Sequence, residues 1–187
     1  MEDKLLNKVI VYGGGVIGDL TTLCIRRNGF EVCQIKTDFK NIKDRTYALS
    51  PSSVDWMRSI GLRSEFIDLM HPIHNIEIHR ENSKVNFSAD SVFQPALAYM
   101  VSEKKLLKEI QIKLDSSDIK IYEEPNKINL DNASDKVSIE IEKEIIQASL
   151  LIACDGANSK IKEQLNIRKK IKNFNQNAIV FNFETFS

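Results

Sequence analysis

Apolar positions change their period within the first 36 residues of the chain. Lys8 to Tyr12 is a short apolar run rich in β-branched residues, which predicts a buried strand. From Val16 to Asn28 the apolar residues recur at helical spacing, and Gly29 predicts the end of that helix. The segment FEVCQIK, residues 30–36, predicts a second strand. A strand, a helix and a strand within about 30 residues predict a right-handed crossover between parallel strands.

Capping residues mark the helices in the next part of the chain. After a polar loop, Ser50 and Pro51 provide a side-chain cap and a first-turn proline. They predict a helix that runs to about Ile60 and stops at Gly61. A second, shorter helix is expected over residues 64–70.

A hairpin and a further helix follow. The segment NIEIHRENSKVNFSA, residues 75–89, alternates apolar and polar residues around a polar tip, which predicts two antiparallel strands. Ser102 predicts the cap of a helix from Glu103 to Leu114. Its apolar face is formed by Leu106, Leu107, Ile110 and Leu114.

The period is mostly two from Ile119 to Cys154. Three strands are predicted there, in IKIYEEPNKINL, KVSIEIE and IIQASLLIAC, joined by polar turns. We expect an antiparallel meander whose last strand leads into the loop DGANS. A final alternating segment, AIVFNFETF, predicts one more strand at residues 178–186. The chain as a whole is predicted to be a mixed α/β protein.

Composition excludes several classes of function. The 187 residues include 26 basic and 26 acidic side chains, so no net charge favours nucleic acid. The three cysteines fit no zinc or redox spacing, and free thiols in a reducing cytoplasm are expected. The three histidines do not predict a metal site, because Pro72 interrupts the helical pairing of His71 and His74. No apolar run approaches the roughly 18 residues of a membrane span.

Gly13, Gly15 and Gly18 form the pattern G-x-G-x-x-G between the first strand and the first helix. In this context the first glycine permits a tight turn, the second a close approach to pyrophosphate, and the third close packing of helix and strand. The amino end of the helix then offers unpaired N–H groups to phosphate. The pattern predicts a dinucleotide site, and the alternative is a tight structural turn.

Two residues depart from the ideal dinucleotide pattern. A carboxylate is expected at the end of the second strand, where it would bind ribose hydroxyls, but Lys36 occupies that position. Asp38 could take over the contact after a small shift. Asp19 follows Gly18 directly and would repel a bound phosphate. From the sequence alone, Lys36→Glu is expected to tighten nucleotide binding by about 1–2 kcal/mol.

Three longer segments carry a family resemblance. They are DRTYALSPSSVDWMRSIGL, LAYMVSEKKLLKEI and ASLLIACDGANSKIKEQLNI. Together with the glycine pattern they resemble the flavoprotein aromatic hydroxylases, most closely the branch that acts in ubiquinone biosynthesis. The shared features are Arg-x-x-Ala-Leu-Ser, Tyr-x-Val before a helix, and Asp-Gly-x-x-Ser after a buried strand. The resemblance covers about residues 8–185, and it implies a Rossmann-like FAD-binding domain.

The resemblance also implies roles for particular residues. Arg45 matches an arginine that reaches the phosphate region of FAD, and its alternative is a surface arginine. Val101 matches a position lining the FAD, and its alternative is simple core packing. Asp155 and Gly156 match a motif near the pyrophosphate that is also linked to NAD(P)H use; the alternative is a tight turn. Ser159 is expected to be only a helix cap. No catalytic residue is assigned.

The family's architecture implies a division of the chain. Residues 1–70 and 99–170 would belong to the FAD-binding domain, residues 71–98 to a substrate-domain-like hairpin, and residues 171–187 to the start of a substrate domain. Family members are about twice as long, so the expectation is a truncated hydroxylase without activity of its own. The resemblance further implies a cytoplasmic protein at or near the inner face of a membrane.

Three functions therefore remain open at the level of sequence. The first is the FAD-binding portion of an NAD(P)H-dependent monooxygenase that hydroxylates a polyprenylphenol-like substrate. The second is a non-catalytic relic or scaffold associated with quinone-pathway enzymes, which Asp19 and Lys36 favour. The third is a nicotinamide-dependent dehydrogenase, which explains the first 36 residues but not the segments DRTYALS and CDGANS.

Overall fold

The computed structural model of the chain describes residues 8–36, 45–125, 130–131, 136–141, 144–177 and 179. The helices in these residues are α1 (Gly15–Arg27), α2 (Pro51–Ser59), α3 (Ser64–Ile67), α4 (Glu103–Asp115) and α5 (Lys160–Gln164). The first six strands are β1 (Lys8–Tyr12), β2 (Glu31–Lys36), β3 (Thr46–Leu49), β4 (His71–Ile73), β5 (Asn75–Arg80) and β6 (Ser83–Ser88). The others are β7 (Ala98–Ser102), β8 (Lys120–Glu123), β9 (Leu130–Asp131), β10 (Val137–Ile141), β11 (Glu144–Ala148) and β12 (Leu150–Ala153).

A parallel sheet with the strand order β12-β1-β2-β8 forms the centre of the fold. Strands β1 and β2 precede and follow α1 in the sequence and pair with each other in parallel. This pairing confirms the predicted strand–helix–strand unit. Strand β12 lies on the other edge of β1, with Val9 opposite Leu150. The sheet therefore joins the beginning of the chain to residues more than a hundred positions later.

The predicted meander from Ile119 to Cys154 is wrong at both ends. Strands β9, β10 and β11 do form an antiparallel sheet. However, β8 and β12 are parallel members of the central sheet. A period of two identifies a half-buried strand but not its partner, because the same alternation suits either kind of pairing.

Both faces of β1, an inner strand of the central sheet, are buried. Val9 and Val11 pack with Val32 on one face, where Ile25 of α1 also lies. Ile10 and Tyr12 point to the other face and join a core shared with β10 and β11. The apolar run of β1 thus serves two cores, as expected for a parallel strand covered on both sides.

A third core lies among α1, α2, α4 and the segment around α3. Leu106 and Ile110 of α4 are fully buried in it, as is Val54 of α2 at 1% exposure. Leu20 and Leu23 of α1 and Val101 of β7 belong to the same cluster. This core therefore fixes the glycine-loop helix relative to β7 and α4.

The predicted helix starts are confirmed at Ser50 and Ser102. The Ser50 hydroxyl accepts a hydrogen bond from the Ser53 N–H at 3.2 Å, and that of Ser102 accepts one from Lys105 at 3.4 Å. Helix α3 is shorter than predicted, because the residues after Ile67 continue as turns. In the described part of the chain, no helix combines the length and apolar character needed to cross a membrane.

The predicted hairpin is confirmed as β5 and β6, with Arg80 opposite Ser83 at its tip. Its side chains are largely exposed, including the cross-strand pairs of Ile76 with Phe87 and of Ile78 with Val85. The last predicted strand, at residues 178–186, lies outside the described residues apart from Ile179.

An ion pair between Arg63 and Glu109 ties the segment before α3 to α4. The Glu109 side chain is 3% exposed and accepts a hydrogen bond from Arg63 Nε at 2.7 Å. The Arg63 guanidinium holds the pKa of Glu109 below its ordinary value. The ionised carboxylate is therefore stabilised in the folded state more than in the unfolded chain.

Glu109→Gln is expected to lower the free energy of unfolding at neutral pH. Because the folded-state pKa of Glu109 is depressed, its contribution is present above the ordinary carboxyl pKa and is lost as the pH falls below it. Urea unfolding at several pH values should show the two proteins converging in acid. A difference that persists unchanged below pH 4 would contradict the ion-pair explanation.

Candidate functional site

The glycine loop joins the end of β1 to the start of α1. Gly13 and Gly15 both have positive φ angles, +122° and +70°, which L side chains rarely adopt. The Gly13 N–H donates to the Ile35 carbonyl at 2.9 Å, so the loop is fixed to β2. Helix α1 starts at Gly15, and its N-cap residue, Gly14, provides no side-chain hydrogen bond. The first N–H groups of α1 therefore remain available to an anion.

Close packing explains the first and third glycines of the pattern. A Cβ atom on Gly18 would lie 2.5 Å from the Gly13 carbonyl oxygen. A Cβ atom on Gly13 would lie 2.3 Å from the carbonyl carbon and oxygen of Cys154 and 2.6 Å from the Asp155 nitrogen. Helix, loop and the end of β12 thus meet at distances that only glycine permits.

The Asp-Gly loop follows β12 and lies directly against the glycine loop. The Cys154 N–H donates to the Tyr12 carbonyl at 2.6 Å, which continues the pairing of β12 with β1. The Asp155 carboxylate accepts from the Ile161 N–H at 3.3 Å, and Ser159 caps α5 as predicted by accepting from Lys162 at 3.0 Å. Gly156 has a φ of +83° and open space around it. The structure thus brings two predicted motifs together.

The remaining predicted residues form a second group around β7. Tyr47 of β3 is opposite Val101, and the Glu103 N–H donates to the Arg45 carbonyl at 2.7 Å. Val101 is 7% exposed, and Val16 of α1 packs against the cluster that contains it. Arg45 itself is exposed at the surface. The structure therefore places Val101 in the same core as α1, and it joins the Arg45 carbonyl to the start of α4.

The side chain of Glu103, at the first position of α4, also accepts a hydrogen bond from a tyrosine of β3. The Tyr47 hydroxyl donates to Glu103 Oε1 at 2.6 Å. Burial, together with this carboxylate, raises the pKa of Tyr47 to about 12, so the hydroxyl remains protonated at neutral pH. This bond holds β3 and the start of α4 together beside Arg45.

A cavity of about 490 Å³ is lined by residues of α4, of β7 and of the segment around α3. Val101 is the predicted site residue that lines it. Its walls combine apolar and charged groups, among them Phe66, Met70, Met100, Lys105 and Glu109. The cavity therefore marks space beside Val101, and the two glycine motifs do not contribute to its lining.

Lys36 lies at the end of β2, as predicted, but it already has partners. Its ammonium donates to Gln111 Oε1 of α4 at 2.8 Å and lies 3.5 Å from the Asp19 carboxylate. Asp19 is 4% exposed and accepts a hydrogen bond from Gln34 Nε2 at 2.7 Å. Burial raises the pKa of Asp19 despite these two partners. Asp38, the alternative ribose ligand, lies outside the described residues.

Sequence reasoning missed the contribution of Gln34 and Tyr12. Gln34 is fully buried, and its Nε2 atom also donates to the Gly13 carbonyl at 3.0 Å. Tyr12 directly precedes the loop, and its hydroxyl donates to Glu124 Oε1 at 2.7 Å. A buried glutamine within the apolar strand β2 was the signal that could have revealed the first contact, since such a side chain requires polar partners.

Comparisons with known proteins match most of this chain. The model of a family described as "FAD binding domain" matches residues 7–186. The 3-demethoxyubiquinol 3-hydroxylase of Escherichia coli (strain K12) is 27% identical over 171 residues, covering 86% of this chain and 44% of the relative. The kynurenine 3-monooxygenase of Dictyostelium discoideum is 29% identical over 169 residues, covering 86% and 36%. The chain thus spans less than half the length of these relatives.

The fold has solved counterparts as well. The crystal structure of pqsL, a probable FAD-dependent monooxygenase from Pseudomonas aeruginosa, superposes with a TM-score of 0.71 at 16% identity. The match covers 89% of this chain and 47% of that one. At this identity the likeness establishes the shared fold.

Proposed function

Because the chain belongs to the FAD binding domain family, we propose that it binds FAD and forms the nucleotide-binding part of an aromatic-ring monooxygenase. The observation that carries the proposal is the contact between the glycine loop and the Asp-Gly loop at Gly13. Two motifs separated by about 140 residues meet there, beside the uncapped start of α1. A merely structural turn would not require both.

The residues of this site fit a dinucleotide. Gly13, Gly15 and Gly18 would let the backbone of α1 approach the pyrophosphate, and the first N–H groups of α1 would bind its oxygens. Asp155 and Gly156 would lie beside the same phosphates. Val101 would line the cofactor from β7, and Arg45 would reach its phosphate region from the surface. Lys36 stands where the adenosine ribose is expected.

Bound FAD would supply the redox chemistry, accepting electrons from a reduced nicotinamide and allowing O₂ to hydroxylate an aromatic ring. The chain's own contribution is to bind the nucleotide half and orient the cofactor. We assign this role to residues 1–70 and 99–170, with residues 71–98 and 171–187 on the substrate side.

The E. coli relative is named for a ubiquinol substrate, and this supports a more specific proposal. The electron donor would be NADH or NADPH, and the substrate a polyprenylphenol in ubiquinone biosynthesis. Such a protein would act in the cytoplasm, at or near the inner membrane face, and could assemble with other quinone-pathway enzymes. Incubating this chain with FAD, NADPH and a short-chain polyprenylphenol is expected to give no hydroxylated product by mass spectrometry. A hydroxylated product would support the substrate class and would overturn the expectation that the chain is inactive on its own.

The purified protein is expected to bind FAD stoichiometrically. Titration should quench flavin fluorescence to an end point of one FAD per chain. Gly15→Ala is expected to weaken binding by roughly tenfold, because alanine strains a left-handed residue at the phosphate loop. Gly29→Ala, also at positive φ but in open space at the other end of α1, provides the control and should bind like the wild type.

Other outcomes distinguish the alternatives. A protein that ignores FAD but is stabilised by a nicotinamide dinucleotide would indicate a dehydrogenase. A protein that binds neither would indicate a relic or scaffold and would overturn the proposal.

A further inference from the structure

Asp19 is an unexpected residue at a phosphate loop. It follows Gly18 in the second turn of α1, and its side chain is 5% exposed. An unpaired carboxylate there would oppose a phosphate bound at the same helix end. It would also be costly to bury, because a charge removed from water needs a partner.

The partners of Asp19 come from two alternate residues of β2. Lys36 supplies the positive charge, with Nζ 3.5 Å from Asp19 Oδ1. Gln34 lies between the carboxylate and the loop, and its Nε2 atom donates both to Asp19 Oδ1 and to the Gly13 carbonyl. The three side chains thus connect the end of β2 to the first glycine of the loop.

Lys36 is itself held in place. Its ammonium donates to Gln111 of α4, and Gln111 in turn donates to Asp115 at 2.6 Å. The Lys36 side chain is 28% exposed, so the Asp19–Lys36 pair is partly shielded from water and from salt. A pair of this kind is far more sensitive to the loss of one member than an exposed surface pair.

We propose that Lys36 is a positioning residue for the glycine loop, where it neutralises Asp19 so that the loop accepts a pyrophosphate. The ion-paired carboxylate of Asp19 also holds the Gln34 amide, which donates a hydrogen bond to the Gly13 carbonyl. The inference rests on the proposed FAD site and deepens it. Asp19 and Lys36, each a departure from the dinucleotide pattern, are a matched pair whose effects cancel.

This arrangement reverses an expectation drawn from the sequence. If Lys36 only occupied the ribose position, Lys36→Glu would tighten FAD binding. Beside Asp19 the same change places two carboxylates together, one of them buried, and binding should weaken. The sign of the effect therefore separates the two interpretations.

A double-mutant cycle tests the pair directly. Lys36→Met is expected to raise the Kd for FAD by about tenfold, because it leaves Asp19 buried without its cation. Asp19→Asn alone should change the Kd by less than about threefold, and the double variant should return to within about threefold of Asp19→Asn. Lys36→Arg should retain binding. Lys8→Met is the matched control, since Lys8 is a β1 lysine of similar exposure (27%) that is paired with Glu31.

A second measurement is independent of FAD. Inorganic pyrophosphate should raise the melting temperature of the cofactor-free protein, Lys36→Met should abolish the shift, and the double variant should regain it. If the wild type ignores FAD but shows this pyrophosphate pattern, the proposed function fails and the inference stands.

The inference itself fails under three results. Additive effects in the FAD cycle would show that Lys36 and Asp19 act separately. Tighter FAD binding by Lys36→Met would show that the lysine obstructs the ribose. A wild-type protein that binds neither FAD nor pyrophosphate would overturn the inference together with the proposed function.

Discussion

Gly13→Ala is expected to destabilise the protein by more than about 3 kcal/mol and to abolish FAD binding. The new methyl group would lie 2.3 Å from backbone atoms of Cys154, far inside van der Waals contact. These atoms cannot rotate away as a flexible side chain could, because the Cys154 N–H is bonded to Tyr12 at the end of β1. The φ angle of +122° adds backbone strain to the collision.

The variant Gly29→Ala separates the effect of the steric collision at Gly13 from the effect of backbone strain at positive φ. Gly29 also has a positive φ, +86°, but a Cβ atom there would meet nothing within 4 Å. It should therefore cost only about 1 kcal/mol. Urea denaturation of both variants is the measurement. Equal losses of stability would show that close packing between Gly13 and Cys154 is not what requires glycine.

Leu106→Ala is expected to cost about 2–5 kcal/mol of stability. Leu106 is fully buried in the core that joins α4 to α1 and β7. Removing three heavy atoms there leaves a cavity that the surrounding helices can fill only in part. FAD binding should weaken as well, because this core positions Val101 relative to the glycine-loop helix.

Ile112→Ala on the same helix is the matched control. Ile112 is 42% exposed, so its truncation should cost less than about 1 kcal/mol. Thermal and urea unfolding should show a larger loss of stability for Leu106→Ala than for Ile112→Ala. If both variants lose similar stability, the burial of Leu106 in this core would not explain the effect of Leu106→Ala, because alanine favours the helix in both variants.

Local signals in the sequence were sufficient to predict most helices and the hairpin. Ser50 and Ser102 cap the helices that they were expected to start, because capping depends on residues within one turn. The glycine pattern likewise marked a local turn, since Gly13 and Gly15 both have positive φ angles. These features depend on neighbours in the chain, and a single sequence contains that information.

Long-range partners could not be predicted in the same way. The alternating segments after Ile119 look alike, yet they divide between a parallel and an antiparallel sheet. The choice depends on which strand is next to each, a property of the whole fold. The Arg63–Glu109 pair joins residues 46 positions apart that no motif connects.

The Asp19–Lys36 pair shows the same limit at the candidate site. Each residue, considered alone, argues against tight nucleotide binding. Their proximity depends on how α1 packs on β2, because this packing brings Asp19 of α1 beside Lys36 at the end of β2. Deviations from a binding pattern thus need to be judged in pairs, once the structure shows which of them touch.

The position of β12 beside β1 also sets an order of events during synthesis. The backbone of β1 leaves the ribosome early, whereas the Ser149 side chain that bonds to Lys8 is 141 residues away. Until that segment emerges, β1 has one free edge and Gly13 lacks its contact with Cys154. Because distant segments can pair only after both have been translated, the contact between Gly13 and Cys154 forms only after Cys154 has left the ribosome. The glycine motif of a nascent chain is thus fully translated long before the candidate nucleotide site can form.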